Sequence, residues 1–140
     1  MDETGMGIKI ITGGVTAARG FKAASTAAGI KYKDRQDMAM IYSQEPCRSA
    51  GTFTTNIVKA APVKWDKNQV TSGAPARAVV INAGIANACT GEEGMGYCGQ
   101  TAEAAALALG ISAESVLVAS TGVIGMQRPM DRITDRKKVA

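Results

Sequence analysis

Two short apolar runs, RAVVIN at 77–82 and SVLVAS at 115–120, stand out from a chain otherwise rich in alanine, glycine and threonine. Each is rich in β-branched residues and bounded by turn formers, a pattern that predicts buried strands. Between them Ala102, Ala105, Ala106 and Leu109 recur at the spacing of one helical face, and Gly110 follows as a stop. Thr90-Gly91-Glu92-Glu93 has the T-x-x-E form of a capping box. Gly94, Gly96 and Gly99 each cost roughly 1 kcal/mol in a helix interior, so the regular helix is expected to begin near Cys98. Strand, helix, strand in that order predicts a layered α/β or α+β fold.

The first half is more broken. Residues 37–43 (DMAMIYS) set Met38, Met40 and Tyr42 against Ala39 and Ile41, as in a strand apolar on both faces. The threonine-rich stretch 49–56 (SAGTFTTN) follows Glu45-Pro46, and is expected as a neighbouring antiparallel strand. Pro62 at a first helical position predicts a short helix over 61–69. Gly13, Gly14, Gly20 and Gly29 punctuate 11–33, which reads as turns and a hairpin. The ending DRITDRKKVA is polar and basic, as expected of a frayed end. The organisation expected is a tail at 1–10, one body at 11–131 and a basic tail at 132–140.

Composition narrows the function classes. At 46% hydrophobic and 20% charged, 140 residues can bury one core. Only 4% are aromatic, so close backbone packing replaces large side chains. The +4 charge gathers at Arg128, Arg132, Arg136, Lys137 and Lys138, with no basic, aromatic-laced groove elsewhere, which argues against nucleic acid. No stretch approaches the roughly 18 apolar residues of a membrane span. Cys47, Cys89 and Cys98 lack C-x-x-C spacing, and with no secretory signal they read as reduced thiols of a cytoplasmic protein. The absence of histidine removes Ser-His and Cys-His dyads and the commonest zinc ligand. GEEGMGYCG is dense in glycine but matches neither phosphate-binding glycine motif. Neither a metal nor a bound cofactor is expected.

The chemistry points to two strand exits, 82–91 (NAGIANACTG) and 120–125 (STGVIG). They combine glycine backbone donors, amides and hydroxyls, the groups that stabilise a developing oxyanion. The same residues read equally as ordinary turns: Asn82 and Asn87 satisfying backbone, Thr90 capping a helix, Gly122 and Gly125 supplying unusual angles. Cys89 could be a nucleophile but has no histidine partner, and a buried cysteine usually serves as a small hydrophobe.

The blocks GGVTAARGFKAA, AGIKY, DMAMIYS, AGTFTTN with VKAAPV, INAGIANACTG, and VLVASTGVIG followed by PM occur in this order over 11–131. Together they resemble the ornithine acetyltransferase (glutamate N-acetyltransferase) family of arginine biosynthesis. The resemblance implies the layered sheet-and-helix fold of the self-processing, N-terminal-threonine type, incomplete here. It implies acetyl transfer from N-acetylornithine to glutamate, with acetyl-CoA as co-substrate in some members. In this family the precursor cuts itself before a threonine, which becomes the nucleophile of a second chain with its own α-amine as base. Partners implied are therefore the two substrates and a β-chain, in a hetero-oligomer of α and β chains. The Thr-Gly of STGVIG carries the family's oxyanion hole onto Thr121 and Gly122. No residue here corresponds to the nucleophile, so the isolated chain is expected to be inactive; the alternative is a non-catalytic fragment or interaction-only fold. One departure is Ile85, where relatives usually carry asparagine.

Overall fold

The two apolar runs pair in parallel, Ala78 opposite Val116 through Asn82 opposite Ser120, in the computed structural model, which describes residues 10–135. They form strands β3 (Ala76–Asn82) and β4 (Val116–Ser120). Parallel neighbours need a crossover, and helix α2 (Gly91–Leu109) supplies it. Strand β2 (Met38–Cys47) pairs antiparallel with β3, and β1 (Phe21–Thr26) antiparallel with β2. The result is a four-stranded sheet in the order β1-β2-β3-β4. It is the mixed α/β layer that the strand-helix-strand pattern predicts.

One face of the sheet carries the core. Met38, Met40 and Tyr42 of β2 share it with Ala78 and Val80 of β3 and Val116 of β4, against Ala102, Ala105 and Ala106 of α2. Alanine at the contact lets the helix lie close to the strands, so little void is left despite few large side chains. Ile41, Val79, Ile81, Leu117 and Ala119 point the other way and stay half-buried; no second layer covers them among the described residues.

Helix α1 (Ala61–Ser72) seals one edge. Its start holds Pro62, as the sequence predicts, with Ala61 and Pro62 buried. The Trp65 indole donates to Val116 O (3.0 Å), and the Val118 N–H donates to Asp66 Oδ1 (2.9 Å). These backbone groups of β4 would otherwise be open to a further strand.

Several expectations are corrected. Stretch 11–33 holds no hairpin of its own; a 3-10 turn (Val15–Ala17) precedes β1, which pairs with β2. Stretch 49–56 forms no strand. β2 instead runs on through Pro46 to meet Ala76 after a register shift. The Asn56 N–H then bonds Thr54 Oγ1 and the Val58 N–H bonds Asn56 Oδ1, local pairings that compete with a ladder. Helix α2 starts at Gly91, not near Cys98. A Cβ on Gly94 would lie 2.6 Å from Asn87 Oδ1, so close packing of the first turn offsets the propensity cost. Thr90 makes no cap; its hydroxyl donates to Asn87 Oδ1 (2.8 Å). DRIT is not frayed: helix α3 (Met130–Ile133) buries Ile133. The expected tail at 136–140, like residues 1–9, lies outside the described residues.

Burial raises the Asp66 carboxyl from 3.8 to about 6, against the lowering effect of the Val118 N–H. The folded chain thus holds this proton more tightly than the unfolded chain. Its contribution to stability is full below about pH 4 and is lost as pH rises through about 6. Calorimetry should show a fall in Tm across that window. Asp66→Asn, which keeps an oxygen for the Val118 N–H, should remove part of the fall; an identical slope in wild type and variant would contradict the assignment.

Candidate active site

The parallel ladder does not stop where the strands end. The Thr121 N–H donates to Asn82 O (3.0 Å), the Val123 N–H to Gly84 O (3.1 Å), the Ala86 N–H to Val123 O (2.9 Å) and the Gly125 N–H to Ala88 O (2.8 Å). The exits 82–88 and 120–125 therefore run side by side, with an Ile85–Val123 bridge between them. Gly122 is the tightest point. Its φ is 133°, and a Cβ there would fall inside the Gly84 carbonyl and 2.6 Å from the Ile85 nitrogen. No L side chain is tolerated in that conformation or that space.

Pairing in this register has a consequence for donors. Thr121 and Val123 spend their N–H groups on the ladder, whereas the Gly122 N–H between them meets no acceptor among the described residues. The Thr121 hydroxyl has none there either, and both residues are exposed. The structure thus brings the two sequence-predicted residues together, each with an unused donor. They line a cleft of about 390 Å³ together with Gly84, Lys31, Tyr32 and Arg35.

The remaining polar residues of 82–91 hold the loop. Asn82 is buried; its Nδ2 donates to Ile85 O (2.9 Å), and its Oδ1 accepts from Arg128 Nη2. Asn87, fully buried at φ 51°, donates to Gly94 O (2.9 Å) and contacts the Cys98 sulfur (3.4 Å). The Asn87 carbonyl also accepts the Ala61 N–H that opens α1 (3.2 Å). Both asparagines are therefore struts of the exit. Ile85 is buried in the core cluster, and the Asn82 amide with the ladder supplies the orientation that a polar residue at 85 could have given.

Neither thiol here suits a nucleophile. Burial pushes the Cys98 thiol up to about 11, opposed by Arg128 and the Asn87 hydrogen bond and aided by Asp66, so it stays protonated. Cys89 is exposed at φ 56°, and the chain has no histidine to activate it. Among the described residues no cluster of candidate metal ligands occurs, and no helix is long and apolar enough to cross a membrane.

Three features escape sequence reasoning. Arg128, expected with the solvated basic end, is 4% exposed, and burial lowers its pKa. Its Nε and Nη1 are buried without partners among the described residues. Asp37 reads as the start of a strand, yet its carboxylate accepts N–H bonds from Ala28 (2.8 Å), Gly29 (3.3 Å) and Ile30 (2.6 Å). It also accepts Ala83 N–H through its own carbonyl (2.8 Å), so one residue ties the 28–30 loop to the exit of β3. Lys31 and Arg35 reach the cleft because of that tie. A carboxylate just after a glycine-containing turn was the available signal for Asp37; nothing local marks Arg128 as buried.

Comparison with known proteins gives these features a setting. The description of the ArgJ family matches residues 22–140. The chain is 50% identical over 123 residues to the arginine biosynthesis bifunctional protein ArgJ of Gloeobacter violaceus, covering 88% of this chain and 30% of that protein. It is 50% identical over 117 residues to its counterpart from Thermotoga neapolitana, covering 82% and 29% respectively. Among solved structures it resembles ornithine acetyltransferase from Mycobacterium tuberculosis, in complex with ornithine, at 46% identity and a TM-score of 0.84, covering 90% of this chain and 67% of that one. The Bacillus halodurans ArgJ structure matches at 39% identity and a TM-score of 0.83, covering 88% and 64%. The chain spans about 30% of the length of the curated relatives it matches. With the family description matched over 119 residues (22 to 140 inclusive) and the same fold in both solved relatives, the chain belongs to the ArgJ family.

Proposed function

We propose that this chain is the oxyanion-holding, amino-terminal part of a glutamate N-acetyltransferase of arginine biosynthesis. The observation that carries the reading is the pair of unused donors at an exposed strand exit, the Gly122 N–H and the Thr121 hydroxyl. A threonine hydroxyl from a second chain attacks the acetyl carbonyl of N-acetylornithine, its own α-amine taking the proton. The carbonyl oxygen becomes an oxyanion between the two donors. Collapse expels ornithine with a proton on its amine and leaves an acetyl ester on the threonine. The glutamate amine then attacks the ester through a second oxyanion at the same place, giving N-acetylglutamate and the free hydroxyl. Some members of the family also accept acetyl-CoA as donor.

The two-chain arrangement has separate support. Similar stretches of this chain fill 67% of the solved Mycobacterium tuberculosis chain and 30% of a curated relative. The ratio of these shares, 30 to 67, makes that solved chain less than half as long as the curated protein, as self-cleavage would leave it. The half-buried apolar sheet face around Ile41, Val79, Ile81 and Leu117 suits the packing of a further layer. With the nucleophile supplied from elsewhere, this chain by itself is inactive.

The test is to follow ornithine release from N-acetylornithine in the presence of glutamate, with this chain alone and with a threonine-bearing β-chain. Turnover is expected only with both, and turnover by the chain alone would overturn the assignment of the nucleophile. In the completed enzyme, Thr121→Ala should lower kcat about 10²- to 10³-fold with little change in the acetylornithine KM, and Thr121→Ser should restore most of it. A change confined to KM would make Thr121 a ground-state binding residue instead. Gly122→Ala should cost more than lost activity: by forcing the exits apart it should destabilise the fold by about 2–4 kcal/mol, read as a drop in urea midpoint.

A further inference from the structure

We propose that Lys31 and Arg35 form a carboxylate-recognising wall beside Thr121 and Gly122, selecting a small α-amino dicarboxylate as the acyl acceptor. The proposal rests on the acyl-transfer reading for the chemistry next door, but its own observations are independent of it. Both cations lie against the Tyr32 ring, the Lys31 ammonium 5.1 Å and the Arg35 guanidinium 5.2 Å from its centroid. The negative face of the ring attracts them, and all three side chains line the same cleft as the two unused donors. The root of Lys31 is fixed on the site loop: a Cβ on Gly84 would come 2.9 Å from Lys31 Cβ, and Gly84 is the residue against which Gly122 is pressed.

Neither cation is neutralised nearby. Among the described residues, Lys31 and Arg35 have no ion-pair partner. The acid on this cleft, Asp37, is buried and committed to the backbone N–H groups of Ala28, Gly29 and Ile30. Two cations without an ion pair among the described residues therefore line an open cleft with Gly84, Thr121 and Gly122. A guanidinium offers a bidentate fork for one carboxylate and an ammonium a point charge for another. A ligand with two carboxylates uses both, whereas one carrying a second ammonium in place of a carboxylate meets repulsion. Exposure of Lys31 and Arg35 also allows their replacement without disturbing the core.

The experiment is an NMR titration of the isotope-labelled chain at low ionic strength, following the Tyr32 and Gly122 amides. The probes are L-glutamate, glutaramide (the same five-carbon chain with both carboxylates as amides and no amino group), and inorganic phosphate. Glutamate should shift both amides, the diamide neither, and phosphate should bind about tenfold more weakly or worse. Lys31→Ala with Arg35→Ala should weaken glutamate about tenfold or more, equivalent to about 1.4 kcal/mol, while Lys31→Arg with Arg35→Lys should hold it within a few-fold. The proposal is overturned by a silent glutamate titration, by equal binding of phosphate or the diamide, or by unchanged affinity in the double alanine variant. The companion assay uses the chain completed by its β-chain. There the alanine pair should raise the glutamate KM about tenfold, and by more than it raises the N-acetylornithine KM. Failure of the wild type to form acetyl-enzyme would sink the acyl-transfer reading alone, whereas normal turnover with an unchanged glutamate KM would sink the carboxylate wall alone.

Discussion

The contact on which the site depends is between two backbones. Gly122 lies so close to the Gly84 carbonyl that no side chain can stand between them, and this approach lets the β3–β4 ladder continue past the strands as far as Gly125 and Ala88. Alternate N–H groups are consumed by that ladder and the one between them is left without an acceptor among the described residues. An unused donor held rigid on both sides is preorganised, and preorganised dipoles stabilise developing charge without reorganisation during reaction.

Everything beneath the exits serves to hold that spacing. Asn82 and Asn87 bind the loop from inside, the second reaching the first turn of α2, where Gly94 lets the helix come close. Three alanines of α2 bring the helix down onto β3 and β4. Asp37 fixes the other wall, trading the burial cost of a carboxylate for three backbone hydrogen bonds. The charged residues that reach the cleft, Lys31 and Arg35, project from the loop this carboxylate anchors.

Much of the fold was legible because periodicity and punctuation agreed: the runs around Val80 and Val118, the alanine face ending at Gly110, and Pro62 at the start of α1 all appear where the pattern places them. The failures come from contacts that periodicity does not carry. Ser49 to Asn56 has strand propensity but local side-chain bonds win, and Gly94 looks helix-breaking until Asn87 and Thr90 are seen to need its space. Thr121 and Gly122 were singled out through family resemblance, whereas composition left them as an ordinary turn. Arg128 and Asp37 were not legible as buried groups, since their burial is set by residues 46 and 7 to 9 positions away in sequence.

The free donor at Gly122 is most directly tested by amide hydrogen exchange of the chain, read residue by residue. Thr121, Val123 and Ala86 should be protected and Gly122 should exchange at nearly the rate of an unstructured peptide. Protection of Gly122 equal to that of Thr121 and Val123 would mean its N–H is already spent, and would contradict its proposed place as an oxyanion donor.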